Sequence, residues 1–451
     1  MRSTKLSSAV GGLVAVVIVA AGCGATPQSS ASPVAPSSAT GDESPASPVT
    51  ISYQTHSNAP ADELNAELIA EFEAAHPGVT VEFTSVPYEN FEPGLLSGFV
   101  AGSGPDLFWI GDWAVPQFHA AGVLAAFDPD AYGMTQEAFV GQYEPDSALD
   151  AYRIDGDLIT AGISEYNVIS MLYNRAHFTE AGIPSPSADE PLTMEAFADI
   201  ASRLARFEDG TRVRQGWAYY DKIDIWTVLT LQPMLVQLGG QLIDESGKAR
   251  FDTPEMRQSM SFLRDMRLKH DAYDPAFTTD VLADFANGRM SMAFLGPWAP
   301  SVIAGVEGAD PGLDIGVAPM PVFDGRERAT SQYSWSWQVN SKAPAERQEW
   351  AWKLAAFLGS QSQRWFDQTG FIQPTNTTLD TGQTVLEYIR GAQPNVAVFE
   401  GDFEYGVPQF RSTSYNEISK LWTQAASLIV AGEDIDQALR EAQAAADGIT
   451  P

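Results

Sequence analysis

The segment GPDLFWIGDW (residues 104–113) is the first candidate for a binding site, because it combines two tryptophans with two aspartates. DLFWI is typical of a buried strand, which places Trp109 on the strand and Asp112 and Trp113 on the turn that leaves it. Ligands of open α/β sheets bind beyond the carboxyl ends of the strands. A sugar ring has an apolar C–H face and a rim of hydroxyl groups, so it suits an indole beside a carboxylate. The segment therefore predicts that Trp109 and Asp112 contact a carbohydrate; alternatively, Trp109 packs in the core and Trp113 covers the surface.

Strand and helix patterns alternate around this segment and must position it. VTISYQT (49–55) and VTVEFTSV (79–86) are typical of strands, and the helix between them can be capped by Ser57 or Asn58. This order predicts a parallel pair of strands with a right-handed crossover. Further segments are expected to be extended at 158–164, 168–174, 290–296 and 314–321, and helical at 192–207, from Pro254, around Trp350–Leu358 and over 418–429. The predicted fold class is α/β.

The net charge of the chain limits which molecules it is expected to bind. The chain has 26 Lys and Arg against 58 Asp and Glu, a net charge of −32. No basic patch is available to neutralise phosphates, so nucleic acid is not an expected partner. An acidic chain favours a neutral or cationic ligand over an anionic one. The single cysteine excludes an intramolecular disulfide.

The N-terminal region is typical of an export signal. Arg2 and Lys5 precede an apolar run from Ala9 to Ala21, which is too short to span a bilayer comfortably. Gly22 and Cys23 follow and resemble a lipobox, which implies a signal peptide over 1–22 and a diacylated Cys23 as the only membrane anchor. The alternative is an ordinary cleaved signal. Residues 23–48, rich in Ser, Ala and Pro, are expected to form a disordered tether.

Motifs of common enzyme classes are missing from the sequence. It contains no nucleophile elbow, zinc-binding His-Glu-x-x-His helix or phosphate-binding Gly-Lys loop. The histidines have no ligand-like spacing, and Phe139 stands where the calcium loop that DPDAYG (128–133) faintly suggests would need a glutamate. We therefore expect no metal, no cofactor and no catalysis. A secreted glycoside hydrolase using Asp112 and Glu165 as its carboxyl pair remains an alternative.

Several further segments, taken in order, carry a resemblance that covers nearly the whole mature chain. They are GPDLFW (104–109) with Asp112 and GVL (122–124), LYNRAHFTEAGI (172–183), PLTMEAFADIASRLA (191–205), GGQLID (239–244), FANGRMSMAFLGPW (285–298), GVAPMP (316–321), and WAWKLAAFLGS (350–360) leading to Gly370 and Pro374. Each segment is weak alone, but their order and spacing are specific. The chain resembles the family 1 extracellular solute-binding proteins, the group that contains maltodextrin-binding protein.

The resemblance implies a two-lobed periplasmic-binding-protein fold, in which two α/β domains are joined by about three chain crossings. We expect the crossings near Ser164–Asn167, Pro319–Val322 and Pro374. The N-lobe would comprise 49–165 plus 322–374, and the C-lobe 166–321 plus 375–451. Such a protein would be an extracytoplasmic monomer, anchored to the outer face of the cell membrane through Cys23. It would bind a neutral sugar or oligosaccharide in the cleft and deliver it to the membrane permease of an ABC importer.

The resemblance also suggests site residues. Trp109 and Asp112 stand where maltodextrin-binding protein has a sugar-contacting tryptophan and aspartate, and Trp298 matches a stacking tryptophan of the opposite lobe. Asn167 aligns with a ligand-binding glutamate of that protein, so this sequence departs from the family pattern there. Glu165 or Tyr166 could take the role of the missing glutamate. Further candidates without a residue match are Gln54, His56 and Asn58 after the first strand and Arg411 in VPQFRSTSY (407–415). Trp226, Trp335 and Trp337 are aromatic candidates, with packing in the core as the alternative for each.

Two other ligands fit the same fold. A polyamine site would surround an extended cation with aromatic and carboxylate side chains, which the acidic composition allows. Tyr219 and Tyr220 could instead bind ferric iron, although adjacent tyrosines more often pack. A purely adhesive surface lipoprotein is a third alternative, and solvent-exposed tryptophans in a cleft would be hard to explain in such a protein.

Overall fold

The computed structural model describes residues 45, 47–379, 381–392 and 395–449, and the N-terminal signal, Cys23 and the tether up to residue 44 lie outside them. The strands are β1 (Val49–His56), β2 (Val79–Val86), β3 (Leu107–Gly111), β4 (Arg153–Ile154), β5 (Asp157–Leu158), β6 (Ile163–Val168), β7 (Ser170–Asn174), β8 (Arg206–Glu208), β9 (Thr211–Ala218), β10 (Met290–Leu295), β11 (Ile315–Ala318), β12 (Thr330–Val339) and β13 (Gly406–Pro408).

Helices fill most of the segments between these strands. They are α1 (Ala59–Ala75), α2 (Tyr88–Ala101), α3 (Val115–Ala120), α4 (Pro129–Tyr132), α5 (Gln136–Val140), α6 (Arg175–Glu180), α7 (Met194–Leu204), α8 (Asp224–Gln237), α9 (Pro254–Leu268), α10 (Val281–Ala286), α11 (Ala299–Ala304), α12 (Ala345–Gly359), α13 (Ser362–Thr369), α14 (Val385–Ala392), α15 (Val396–Phe403), α16 (Tyr415–Ala431) and α17 (Ile435–Ala446). A 3₁₀ helix covers Asp146–Tyr152. No helix within the described ranges has the length and apolarity needed to cross a membrane.

The first sheet has the order β13–β12–β3–β1–β2, and β6 pairs in addition with residues 332–336 of β12. β1 runs parallel to β2 in the register Val49–Val79 to His56–Val86, and parallel to β3. The predicted parallel pair is confirmed. β12 is antiparallel to β3 and β6, so it forms the centre of this sheet.

The second sheet has the order β11–β7–β10–β9–β8. Its central strand β10 is parallel to β9 and antiparallel to β7. The chain leaves the first sheet at Ile169, between β6 and β7, and returns between β11 and β12. The residue-level lobe boundaries stay a prediction, but the sheets assign all of β6 and also β13 to the first sheet.

Local sequence signals explain where the helices begin. The Asn58 side chain accepts from the Ala61 amide at the start of α1, and Thr253 accepts from the Met256 amide at the start of α9. Each bond satisfies one of the free N–H groups of a first helical turn. Both predicted helix starts are confirmed.

Two predicted elements are shorter than expected. The helix predicted over 192–207 ends at Leu204, because Ala205 is extended and the next residues form β8 beside β9. The extended run predicted over 158–164 is interrupted at Gly162, whose φ of +132° suits glycine alone. The pairing of β8 with β9 therefore ends the helix earlier than its hydrophobic pattern predicts, and the turn at Gly162 divides the predicted extended run.

Candidate ligand-binding site

A cavity of about 320 Å³, here called the aromatic cavity, lies between residues that follow strands of both sheets. Strands β1, β2 and β3 are parallel, so the residues after them gather at one edge of the first sheet. Strands β9 and β10 are likewise parallel and bring Tyr220 and Trp298 to one edge of the second sheet. The first wall holds His56, Ser57, Asn58, Pro87, Tyr88, Glu89, Trp113, Glu165, Tyr333 and Trp335. The second wall holds Tyr220, Ile223, Ile225, Trp226, Leu229, Asp280, Leu282, Trp298 and Val302, with Phe371 beside them.

The second wall carries the more accessible indoles. Trp298 and Trp226 are half-buried, and their ring centroids lie 5.7 Å apart in an edge-to-face arrangement. Tyr220 packs on Trp226 at 5.2 Å. The Trp298 Nε1 donates to the Tyr333 hydroxyl at 2.7 Å, which joins the two walls. These side chains form a surface on which a flat apolar ligand face can stack.

The first wall has an aromatic cluster behind it. His56 and Trp113 pack on Trp335 with ring centroids 4.5 and 4.9 Å away. The Trp113 Nε1 donates to Glu92 Oε1 at 3.0 Å, and burial raises the pKa of Glu92 to about 7. Trp113 and Trp335 are almost completely buried, so they shape the wall and expose little surface to a ligand.

Two polar groups on this wall are buried at the cavity. Glu165 is 3% exposed, its Oε2 accepts from Asn167 Nδ2 at 2.8 Å, and burial raises its pKa to about 8. Burial lowers the pKa of His56 to about 4, so its imidazole is neutral near pH 7. The His56 Nδ1 lies 3.4 Å from the Ser57 carbonyl oxygen and is assigned as the donor to it. In this tautomer the Nε2 is a hydrogen-bond acceptor, and it is buried without a partner among the described residues.

The structure brings six of the predicted site residues to this cavity: His56, Asn58, Glu165, Trp226, Trp298 and Trp335. Asn167 is fully buried and supports the Glu165 carboxyl from outside the lining. Tyr88, Tyr220 and Tyr333 also line the cavity and were not predicted as sugar contacts. The signal available for Tyr88 was its position just after a strand end, the same argument that selected Asn58.

Trp109 lies elsewhere and corrects the first expectation. Its side chain is fully buried and is no part of the cavity lining. It packs against Trp337, Trp365 and Phe371 at centroid distances of 6.1 to 6.5 Å. All of β3 is buried, because β1 and β12 flank it within the sheet and rings such as Phe118 and Trp365 cover its two faces. The alternative that Trp109 packs in the core therefore describes it correctly.

Asp112, Tyr166 and Arg411 line a different cavity of about 580 Å³, here called the Arg411 cavity. Alternate residues of a strand face opposite sides of its sheet. Tyr333 and Trp335 of β12 line the aromatic cavity, whereas Gln332 and Ser334 line the Arg411 cavity. The two cavities therefore lie on opposite sides of β12, and Asp112 and Glu165 do not share one site.

The Arg411 cavity contains a loose ion pair. An Arg411 guanidinium nitrogen lies 3.8 Å from Asp112 Oδ2. Burial raises the pKa of Asp112 to about 6, and Arg411 opposes that rise. The other predicted aromatic residues, Trp337 and Tyr219, are buried in the core.

A third cavity of about 340 Å³, here called the Tyr415 cavity, shares six lining residues with the aromatic cavity: Tyr88, Glu89, Trp113, Ile223, Ile225 and Trp335. Its further lining includes Glu92, Lys222, Asp224, Tyr415, Glu417 and Lys420. Shared walls make the two cavities parts of one elongated groove. No cluster of metal-ligating side chains was found in the part of the chain that the structure describes.

The chain belongs to the bacterial extracellular solute-binding protein family, whose sequence profile matches residues 57–365. This is a family of substrate-binding proteins, not of enzymes. A binding protein of Brucella abortus is 24% identical over 85% of this chain and 89% of its own length.

Solved structures agree on the fold. An ABC transporter solute-binding protein of Thermotoga lettingae, bound with α-D-tagatose, has a TM-score of 0.75 at 22% identity over 88% of this chain and 98% of its own. The maltotriose-binding protein of Thermus thermophilus, bound with maltotriose, has a TM-score of 0.71 at 19% identity over 88% and 98%. At these identities the likeness establishes the two-lobed α/β fold, which confirms the predicted fold class.

Proposed function

We propose that this protein is a lipid-anchored extracytoplasmic receptor that captures a sugar or oligosaccharide between its lobes and delivers it to an ABC-type importer. The observation that carries the proposal is the aromatic cavity, whose walls come from both sheets and present Trp226 and Trp298 opposite a buried carboxyl group. Its volume of about 320 Å³ is at the lower end of the range of small-molecule sites, ~300–1,000 Å³. The family of the chain and the sugars bound to its structural neighbours support the same ligand class.

The free energies are sufficient for such a ligand. A dissociation constant of about 1 µM corresponds to about 8 kcal/mol. By analogy with bases on aromatic side chains, stacking contributes roughly 1–3 kcal/mol per ring. Hydrogen bonds to charged groups contribute about 1.5–3 kcal/mol each, so two stacks and three such bonds contribute roughly 6.5–15 kcal/mol, a range that includes the required value.

Contacts on both walls would also couple binding to lobe closure. A ligand shifts a conformational equilibrium only by as much as its affinity differs between the two states. A sugar that stacks on Trp298 and bonds to Glu165 touches both walls and favours the closed form. The closed form is then the state expected to dock on the permease.

A thermal-shift screen against mono- and oligosaccharides, followed by calorimetry, tests this function. A ligand of the folded state raises the melting temperature. Trp298→Ala and Trp226→Ala should each weaken sugar binding at least tenfold, because each removes a stacking surface. Phe207→Ala, which truncates an exposed aromatic residue remote from the cavity lining, should leave the affinity unchanged.

Trp109→Ala is the control for a tryptophan that lies in the core and not in the cavity. Truncation of a fully buried tryptophan should cost about 3–5 kcal/mol of unfolding free energy, measured by urea denaturation.

Retention of full sugar affinity by Trp298→Ala would contradict the assignment of the aromatic cavity as the sugar site. Binding of a diamine alone, with no heat from any carbohydrate, would contradict the proposed ligand class.

A further inference from the structure

The aromatic cavity has acidic side chains and no basic ones to balance them. Among its lining residues, all within the described part of the chain, the carboxyl groups are Glu89, Glu165 and Asp280, and no lysine or arginine is present. His56 adds no positive charge, because burial keeps its imidazole neutral near pH 7. An unpaired carboxylate is unfavourable in such surroundings, so burial favours the protonated form of Glu165, and a bound cation would stabilise its ionised form.

The hydrogen-bonding capacity of the first wall points in the same direction. Glu165 receives one hydrogen bond, from Asn167, and an ionised carboxylate can accept several. His56 is 8% exposed, and its Nε2 has no partner. The ionised form of Glu165 and the His56 Nε2 both accept hydrogen bonds, so a ligand that donates to both would satisfy them. An ammonium group donates three and accepts none, whereas a hydroxyl group donates one.

The aromatic side chains suit a cation equally well. The faces of tryptophan and tyrosine attract a cation within about 6 Å of the ring, most strongly where water is excluded. Trp226, Trp298 and Tyr220 form one wall, and Tyr88 and Tyr333 belong to the other. Rings on both walls next to a buried carboxyl group form a site for a positively charged group attached to an apolar or stacking skeleton.

The adjoining Tyr415 cavity differs in charge. Its lining includes Lys222 and Lys420 together with the four carboxyl groups of Glu89, Glu92, Asp224 and Glu417. The two lysines offset part of the negative charge there and compete with a ligand cation for the carboxyl groups. The cationic end of the ligand is therefore expected in the aromatic cavity, whose lining carries carboxyl groups and no lysine or arginine.

We propose that the ligand of the aromatic cavity is an amino sugar, alone or as the terminal unit of an oligosaccharide, whose ammonium group pairs with Glu165 while its ring stacks on Trp226 and Trp298. This inference rests on the proposed function and narrows its substrate class. The ammonium group donates to the Glu165 carboxylate and to His56 Nε2. Asp280 and Glu89, which are exposed at the cavity, add long-range attraction for the cation.

Calorimetry with matched ligands tests the proposal on the wild-type protein. The probes are D-glucosamine, D-galactosamine and their β-1,4-linked disaccharides, each compared with its N-acetylated form and with the neutral parent sugar. At least one amine should bind tenfold or more tightly than both of its matched neutral forms. That advantage should shrink as sodium chloride is raised, because added salt screens the charge interaction.

Two variants test whether Glu165 causes the preference for the amine. Glu165→Gln should reduce the preference for the amine to less than threefold while keeping cooperative unfolding. Glu63→Gln, which neutralises an exposed carboxyl group on α1, should leave the preference unchanged. A tenfold preference that survives Glu165→Gln would overturn the assigned pairing.

The outcomes separate this inference from the proposed function. Equal or tighter binding of the neutral sugars would overturn the amino-sugar proposal and leave the sugar receptor standing. Binding of putrescine or choline without any carbohydrate would overturn both. Failure of every amino sugar to bind a cooperatively folded protein would also overturn the amino-sugar proposal.

Discussion

At the scale of single residues, Glu165 is the group whose surroundings most affect its chemistry. Glu165 belongs to β6, and its carboxyl group lies near Tyr88, Tyr333 and Asn167; among the described residues, only Asn167 donates a hydrogen bond to it. Burial raises the pKa of Glu165 from 4.5 to about 8. The same burial lowers the pKa of the neighbouring His56 to about 4. Near pH 7 both Glu165 and His56 are therefore neutral, and a cationic ligand can favour the ionised form of Glu165.

The raised pKa predicts a pH dependence of stability. The folded protein keeps a proton on Glu165 that the unfolded chain releases, so this contribution is fully present below about pH 4.5 and is lost as the pH rises through about 8. Wild type should therefore lose unfolding free energy relative to Glu165→Gln between these limits. Urea denaturation of both proteins from pH 4.5 to 8.5 measures the difference, with Glu63→Gln as the matched control. A constant difference across this range would contradict the raised pKa.

At the scale of elements, the end of β10 determines where Trp298 stands. Gly296, Pro297 and Trp298 follow the strand directly, and the indole turns back over the glycine to reach Tyr333. A Cβ atom on Gly296 would lie 2.6 Å from Trp298 Nε1 and 3.2 Å from the Tyr333 hydroxyl. Glycine at this position therefore permits the contact between the walls, and its small size matters here rather than an unusual φ.

Gly296→Ala should displace the Trp298 indole and break its bond to Tyr333. We expect sugar affinity to fall at least tenfold and the unfolding free energy to fall by about 1–3 kcal/mol, which is usual for an overpacked site. Calorimetry and urea denaturation measure the two effects. Gly391→Ala, where a new Cβ atom meets nothing within 4 Å, is the control: it should leave the affinity unchanged and, because Gly391 lies in α14, raise the unfolding free energy by at most about 1 kcal/mol. Unchanged affinity in Gly296→Ala would show that the position of Trp298 is not critical for binding.

At the scale of the whole molecule, anchoring and ligand binding are expected to be separable. All residues that line the aromatic cavity lie between His56 and Phe371. The proposed anchor, Cys23, lies outside the described residues and upstream of the Ser/Ala/Pro-rich segment. If Cys23 is the anchor, capture and attachment to the membrane would use different parts of the chain.

Cys23→Ala tests this separation in cells that export the protein. The variant should move from the membrane fraction to the soluble extracytoplasmic fraction, because no acyl chain can then be attached. The purified variant should bind its ligand with an affinity within about twofold of wild type. Ser30→Ala in the same segment is the control and should remain with the membrane. A membrane-bound Cys23→Ala protein would contradict lipidation as the anchor.

The sequence by itself determined the alternation of strands and helices, the helix starts after Ser57 or Asn58 and at Thr253, and the family, because these follow from local patterns and their spacing. It also directed attention to His56, at the end of β1, and through the family resemblance to Glu165 and Trp298. Only the tertiary structure decided that Trp109 is core, since a strand covered on both sides buries both sets of alternate residues. It likewise separated Asp112 and Arg411 from Glu165, because side chains on opposite faces of β12 cannot be assigned to one cavity until the strands beside it are known.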